Sequence, residues 1–112
     1  MKIIKLDYGV KLPENYTGIV EYLNGTLIYF LNGFIHKEDG PAIIRSTGTI
    51  IYYLNGKRHR EDGPAIIYSF GLEYYYLKGN NITEKVNKWI KENNIPEVWN
   101  NSHKLLFKLT FG

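Results

Sequence analysis

Up to Ile82 the apolar and aromatic residues arrive in bursts of four to six, each ended by a polar turn signal, a period that suits short strands and not helices. Thr49 to Leu54 is dense in Ile and Tyr and predicts a strand. Asn55-Gly56 follows it, the strongest two-residue signal for a type I′ hairpin turn because both central positions need positive φ. Lys57 to His59 then reads as a short return strand. Glu61-Asp62-Gly63-Pro64 enforces a second reversal, and Pro64 to Tyr68 resumes a strand before Phe70-Gly71 closes the unit.

The unit recurs. Gly25 to Thr47 aligns without a gap to Gly48 to Phe70, and 16 of the 23 aligned positions are identical. A half copy starts at Gly71 and runs to Ile82. A degenerate copy precedes the array, with Lys2 to Leu6 over the Gly25 to Tyr29 segment and Gly18 to Gly25 over Pro41 to Gly48. One domain is expected: residues 1–24 a degenerate repeat, 25–47 and 48–70 full repeats, 71–82 a half repeat and 83–112 a helical cap. The expected fold is mainly β, a single twisted antiparallel meander sheet that grows by one unit per repeat. Stacked copies should align Tyr29, Tyr52 and Tyr75 on one side of the sheet and Phe30, Tyr53 and Tyr76 on the other, with rings a repeat apart in contact.

After Ile82 the period changes. Val86, Trp89 and Ile90 fall at helical spacing behind Thr83, a candidate N-cap, and Asn93-Asn94 with Pro96 ends the run, so a helix over about Thr83 to Glu92 is expected. His103 to Leu109 is read as a second helix capped by Ser102, although Leu105, Phe107, Leu109 and Phe111 alternate as a strand would. Both helices are expected to cover the open end or one face of the sheet.

Charge and composition narrow the chemistry. The chain has no cysteine, which removes thiolate catalysis, disulfides and sulfur-ligated zinc. Its net charge of +3 is modest, so nucleic acid is a minor partner class. No apolar run reaches a membrane-spanning length, so no membrane insertion is expected and a cytoplasmic location is. Eleven lysines against three arginines, with many Asn and Ile, match AT-rich coding and suggest a phage, a large virus or a low-GC bacterium. Walker A, G-x-S-x-G, H-E-x-x-H and EF-hand signatures are all missing, and no cofactor is expected.

The recurrent polar cluster is His36 with Glu38 and Asp39, and His59 with Glu61 and Asp62. Imidazole beside carboxylates could act as general acid and base or hold a metal, which would make a small hydrolase or nuclease. A catalytic constellation needs assembling only once, however, whereas a group present in every copy serves the fold. These bends are therefore expected to be structural, with no catalytic residue and no metal.

The run Leu54-Asn55-Gly56-Lys57-Arg58-His59-Arg60-Glu61-Asp62-Gly63-Pro64-Ala65 and its earlier copy resemble the MORN repeat, most closely the "NGxxHREDGPA" variant of phages, giant viruses and some bacteria. The resemblance spans about Gly18 to Ile82. It implies a non-enzymatic scaffold whose usual partner is a protein, and, with a viral origin, an inhibitor that occludes a host factor or defence complex in the host cytoplasm. Asp-Gly-Pro stands where MORN units usually carry G-x-G, a departure that weighs against lipid headgroups. Within the repeated frame the copies differ at Phe34-Ile35 and Lys57-Arg58. Those four residues, with Tyr29, Tyr52 and Tyr75, are the expected partner-binding positions. Self-association, as a homodimer with the ladders facing, is the remaining alternative.

Overall fold

A computed structural model describes residues 2–112. Twelve short strands precede two helices: β1 (Ile3–Leu6), β2 (Gly18–Tyr22), β3 (Leu27–Leu31), β4 (Phe34–Ile35), β5 (Ile43–Ile44), β6 (Ile50–Ile51), β7 (Tyr53–Leu54), β8 (Lys57–Arg58), β9 (Ile66–Ile67), β10 (Glu73–Tyr74), β11 (Tyr76–Leu77), β12 (Asn80–Asn81), α1 (Thr83–Glu92) and α2 (Asn101–Phe111). The protein is mainly β, and its strands form two rows along a body of 46 × 27 × 22 Å.

The first row is one sheet in the order β1-β2-β3-β5-β6-β9-β10. Its register sets two opposite faces. Tyr74, Ile66, Ile51, Ile43, Ile28, Val20 and Ile4 lie side by side on one face, and Glu73, Ile67, Ile50, Ile44, Leu27, Glu21 and Lys5 on the other. Ile43, Ile51 and Ile66 form the buried centre of the first face, with Tyr53, Tyr68, Tyr74 and Tyr76 packed around them. Each full copy is also tied end to end at the sheet's turn edge, where the buried hydroxyls of Thr26 and Thr49 accept the Ser46 and Ser69 amides of their own copies, each at 3.2 Å.

The second row is made of hairpins. The expected strand Thr49 to Leu54 breaks at Tyr52, whose N–H donates to the Ala65 carbonyl while its own carbonyl accepts the His59 N–H. The chain beyond it leaves the main sheet and pairs with its own return, β7 with β8 and likewise β11 with β12, while β4 folds back on an unbroken β3. Each return hairpin turns through two residues of positive φ: Asn32 and Gly33, Asn55 and Gly56, Lys78 and Gly79. That is the type I′ geometry which the right-handed strand twist favours.

Three expectations need correction. The sheet is mixed, not wholly antiparallel, because β1 runs parallel to β2. The Asp7 to Thr17 link lacks the tight Asn-Gly turn of a hairpin and returns the chain to the start of β1. Where the link leaves the end of β1 it is held by the Tyr8 ring stacked on Tyr22 at 4.7 Å and by Asn24 Nδ2 donating to the Tyr8 hydroxyl at 2.9 Å. A strand reached by such a crossover enters in the same direction as its neighbour. The strands also fall into one main sheet and two separate hairpins, not a single sheet.

The third correction concerns the helix caps. α1 has the expected bounds, but Thr83 is its first helical residue. Ile82 holds the cap position without a side-chain bond, and Asn81 Oδ1 accepts the Thr83 N–H at 3.0 Å. α2 begins earlier than expected and is capped by Asn100, not Ser102: Asn100 Oδ1 accepts from the His103 N–H while His103 Nδ1 accepts from the Asn100 N–H, a reciprocal capping box. The helices close on Tyr75, building a second core of Tyr75, Val86, Trp89 and Phe107 with Trp99 wedged among the rings. Among the described residues no helix is long and apolar enough to cross a membrane.

Candidate functional site

The two histidine bends sit between consecutive hairpins. His36 Nδ1 accepts the N–H of Asn55 at 2.9 Å, and His59 Nδ1 accepts the N–H of Lys78 at 2.8 Å. Each imidazole thus binds the first left-handed residue of the next copy's turn. Accepting at Nδ1 places the neutral ring's proton on Nε2. Nε2 of His59 lies 3.3 Å from Glu61 Oε1, and Nε2 of His36 lies 3.6 Å from Glu38 Oε1, too long for a hydrogen bond. In the degenerate first copy Thr17 Oγ1 accepts the Asn32 N–H at 2.9 Å. A hydroxyl there does for the Asn32 amide what the imidazoles do for those of Asn55 and Lys78.

A cleft of about 400 Å³ opens between the bends, lined by Lys37, Glu38, Asp39, Gly40, Tyr52, Leu54, His59, Arg60, Glu61, Asp62 and, from α2, Lys108. Its charges largely answer one another. Arg60 Nε lies 2.9 Å from Asp62 Oδ1 and its Nη1 donates to the Pro64 carbonyl, while Lys108 Nζ reaches Glu61 Oε2 at 3.6 Å. His36 is not on its wall. Among the described residues no group of three or more His, Asp or Glu is placed to hold a metal ion.

The tyrosine ladder is built differently from the expectation. Lys37 Nζ lies 4.2 Å from the centre of the Tyr29 ring, and the Arg60 guanidinium 4.1 Å from that of Tyr52. Each ring meets a cation eight residues on, not the tyrosine of the next copy. Tyr75 meets Trp99 and Phe107, each at 6.0 Å. It is 4% exposed, and burial pushes its hydroxyl pKa up to about 12. Tyr75 is therefore closed to a partner, contrary to its place among the expected contact residues.

The variable positions come together. Phe34-Ile35, Lys57-Arg58 and Asn80-Asn81 occupy equivalent return strands, and these hairpins are joined in a row: the Gly56 N–H donates to the Ile35 carbonyl and the Gly79 N–H to the Arg58 carbonyl, both at 2.9 Å. Phe34 is 58% exposed. Its ring also approaches Gly56, where an added Cβ would sit 3.0 Å from Phe34 Cδ1, so a side chain there would press on the neighbouring hairpin. Arg58 lies over Tyr76, and its guanidinium pKa is raised chiefly by the Tyr53 hydroxyl and secondarily by that of Tyr76, so it presents a fixed positive charge. Asn80 and Asn81 extend the variation to a third copy. That pair lies inside the half repeat, at the frame positions of Phe34-Ile35 and Lys57-Arg58, and was not among the expected contact residues.

Compared with protein-family models, curated proteins and solved structures, the chain matched none.

Proposed function

We propose that this chain is a non-enzymatic, MORN-like repeat module that binds a protein through the row of hairpin returns. The observation that carries this reading is the juxtaposition of Phe34-Ile35, Lys57-Arg58 and Asn80-Asn81: an apolar, a basic and a neutral polar pair, held side by side by a hydrogen-bonded frame. Change of chemistry within a constant frame is how a repeat array encodes partner choice. The backbone bonds fix the spacing of the three pairs, so little ordering entropy is lost on docking. What weighs against catalysis at the bends is the engagement of Nδ1 in both imidazoles and its replacement by the Thr17 hydroxyl in the first copy.

The test pairs affinity capture from a cell lysate with Phe34→Ala and Lys57→Glu, substitutions at exposed positions. A protein retained by the wild-type chain and lost by both variants, with melting temperatures unchanged, is the expected result. Retention indifferent to both changes would refute the hairpin face as the binding site. Hydrolytic turnover abolished by His59→Ala in a chain that stays folded would instead favour the enzyme.

A further inference from the structure

We propose that the two ends of the main sheet are complementary and that copies of this chain associate head to tail, β1 of one copy adding antiparallel to β10 of the next. The argument starts from the free edges. On β10 the carbonyls of Leu72 and Tyr74 accept from Tyr68 and Ala65, so Glu73, between them, turns its own N–H and C=O outward. On β1 the carbonyls of Lys2 and Leu6 accept from Ile19 and Leu23, so Ile3 and Lys5 face outward in the same sense. Strand directions agree: β1 runs parallel to β2, and every later neighbour on the path to β10 alternates. A second copy in the same orientation therefore brings its β1 in antiparallel to β10.

One register matches the outward groups of the two edges. Opposing Glu73 to Lys5 of the second copy lets these two residues exchange both backbone hydrogen bonds. It also extends each face of the sheet in kind, because Glu73 and Lys5 belong to one row while Tyr74 and Ile4 belong to the other. Lys5 already reaches Glu21 of its own copy at 3.8 Å and would then sit between two carboxylates.

Beyond that pair Tyr75 offers no backbone group, since its N–H donates to Thr83 Oγ1 and its carbonyl accepts from the Ile82 N–H, so Ile3, 58% exposed in the single copy, adds side-chain contact only. Beside Tyr75 lies a groove of about 640 Å³ walled by Leu72, Ile90, Val98 and Trp99, with Glu73 and Glu97 as its only charged lining residues. Apolar walls with two acids and no base fit an apolar strand that carries lysines, which describes Lys2-Ile3-Ile4-Lys5. Pairing the β10 edge with itself at its outward residue would instead oppose Glu73 to Glu73, and β1 paired with itself has no acid to meet its lysines. Charges on edge strands deter sheet extension, and here their opposite signs favour the heterologous pairing. Such an interface leaves one edge of each kind free to add a further copy. It is also small, since Thr83 Oγ1 and the Ile82 N–H already occupy both backbone groups of Tyr75 and leave Glu73 with Lys5 as the backbone-bonded pair, so association is weak and reversible.

This inference is independent of the hairpin face: a monomeric chain that still captures its partner would sink only the head-to-tail contact. Sedimentation velocity over a wide concentration series tests it with the wild-type chain, Lys5→Glu, Glu73→Lys and Ile3→Glu, the last introducing an acid at an exposed position that the acidic groove rejects. The wild type is expected to gain average mass with concentration without a plateau at the dimer, and each variant to remain monomeric. An equimolar mixture of Lys5→Glu and Glu73→Lys should recover assembly, because the acidic β1 edge of the first variant finds the basic β10 edge of the second, and the unaltered edges still match. A wild type that stays monomeric, a plateau at the dimer, variants that assemble as the wild type does, or a mixture without recovery would each overturn it. Should either charge variant misfold, Ile3→Glu decides.

Discussion

Replacing His59 by alanine tests whether the repeated imidazole is a bolt between copies. His59 is 8% exposed, and its Nδ1 is the acceptor of the Lys78 amide at 2.8 Å. Alanine leaves that N–H facing the space of the lost ring, and a partly buried donor without its partner costs about 1–3 kcal/mol. The vacated ring volume adds a packing loss, for a total of roughly 2–3 kcal/mol. For a chain of this length that corresponds to a fall in melting temperature of about 8–12 °C. His36→Ala vacates a ring of similar burial but removes the bond at the more exposed Asn55 amide, and should cost less, about 1–2 kcal/mol. Differential scanning calorimetry gives the order of the two variants. Amide hydrogen exchange gives the location: in His59→Ala the Lys78 amide should lose protection while that of Asn55 keeps it. A His59→Ala chain melting within about 1 °C of the wild type, with Lys78 still protected, would refute the bolt.

Further outcomes follow from the turns and the second core. Gly33 has φ +84°, and an added Cβ would run into the Glu14 carbonyl, so Gly33→Ala should destabilise by at least about 2 kcal/mol in chemical denaturation. Gly71→Ala, at φ +98° with nothing nearby, should cost only about 1 kcal/mol. Lys78 occupies the left-handed position at φ 50° that asparagine fills in the two full copies, so Lys78→Asn should raise stability by about 0.5–1 kcal/mol, read from the same denaturation curves. The Tyr75 hydroxyl, raised from 10.0 to about 12, favours the folded state while protonated, so its contribution is complete below pH 10 and lost as pH climbs through 12. Ultraviolet titration should show one tyrosine ionising late, and Tyr75→Phe should flatten the fall in stability over that window.

Local features were legible in the sequence where the chemistry is local. At Asn32-Gly33 and Asn55-Gly56 both residues adopt the positive φ that a type I′ turn demands, whereas at Asn24-Gly25 only the glycine does. The Val86, Trp89 and Ile90 stripe marks a helix by its spacing alone, and α1 has the expected bounds. What the sequence withheld depends on contacts between distant segments. Nothing in Lys2 to Leu6 distinguishes a parallel from an antiparallel neighbour, because that choice is made by the path of the Asp7 to Thr17 link. Thr83 reads as a cap by residue type, yet the Tyr75 amide recruits its hydroxyl and Asn81 takes over the helix amide. At the candidate site the variable pairs were visible by comparing copies. That cations would cover Tyr29 and Tyr52, and that helices would close over Tyr75, depended on packing across the hairpin.

Tyr75 also explains how the array stops. In the two full copies the equivalent tyrosine needs an acceptor for its N–H and a cover for its ring. Tyr29 and Tyr52 obtain the first from the Ala42 and Ala65 carbonyls of the following strand, and the second from Lys37 and Arg60. In the half copy no such strand follows. The Thr83 hydroxyl supplies the acceptor, at the position where Lys37 and Arg60 stand in the full repeats, and Trp99 and Phe107 supply the cover. A cap therefore has to reproduce only two contacts of a missing repeat, which two short helices manage without resembling one. The cap does not reproduce the strand that lies along β6 as β9 does, so Glu73 keeps its backbone groups turned outward. The termination that completes the Tyr75 core is thus the same feature that leaves the far edge of the sheet open to another strand.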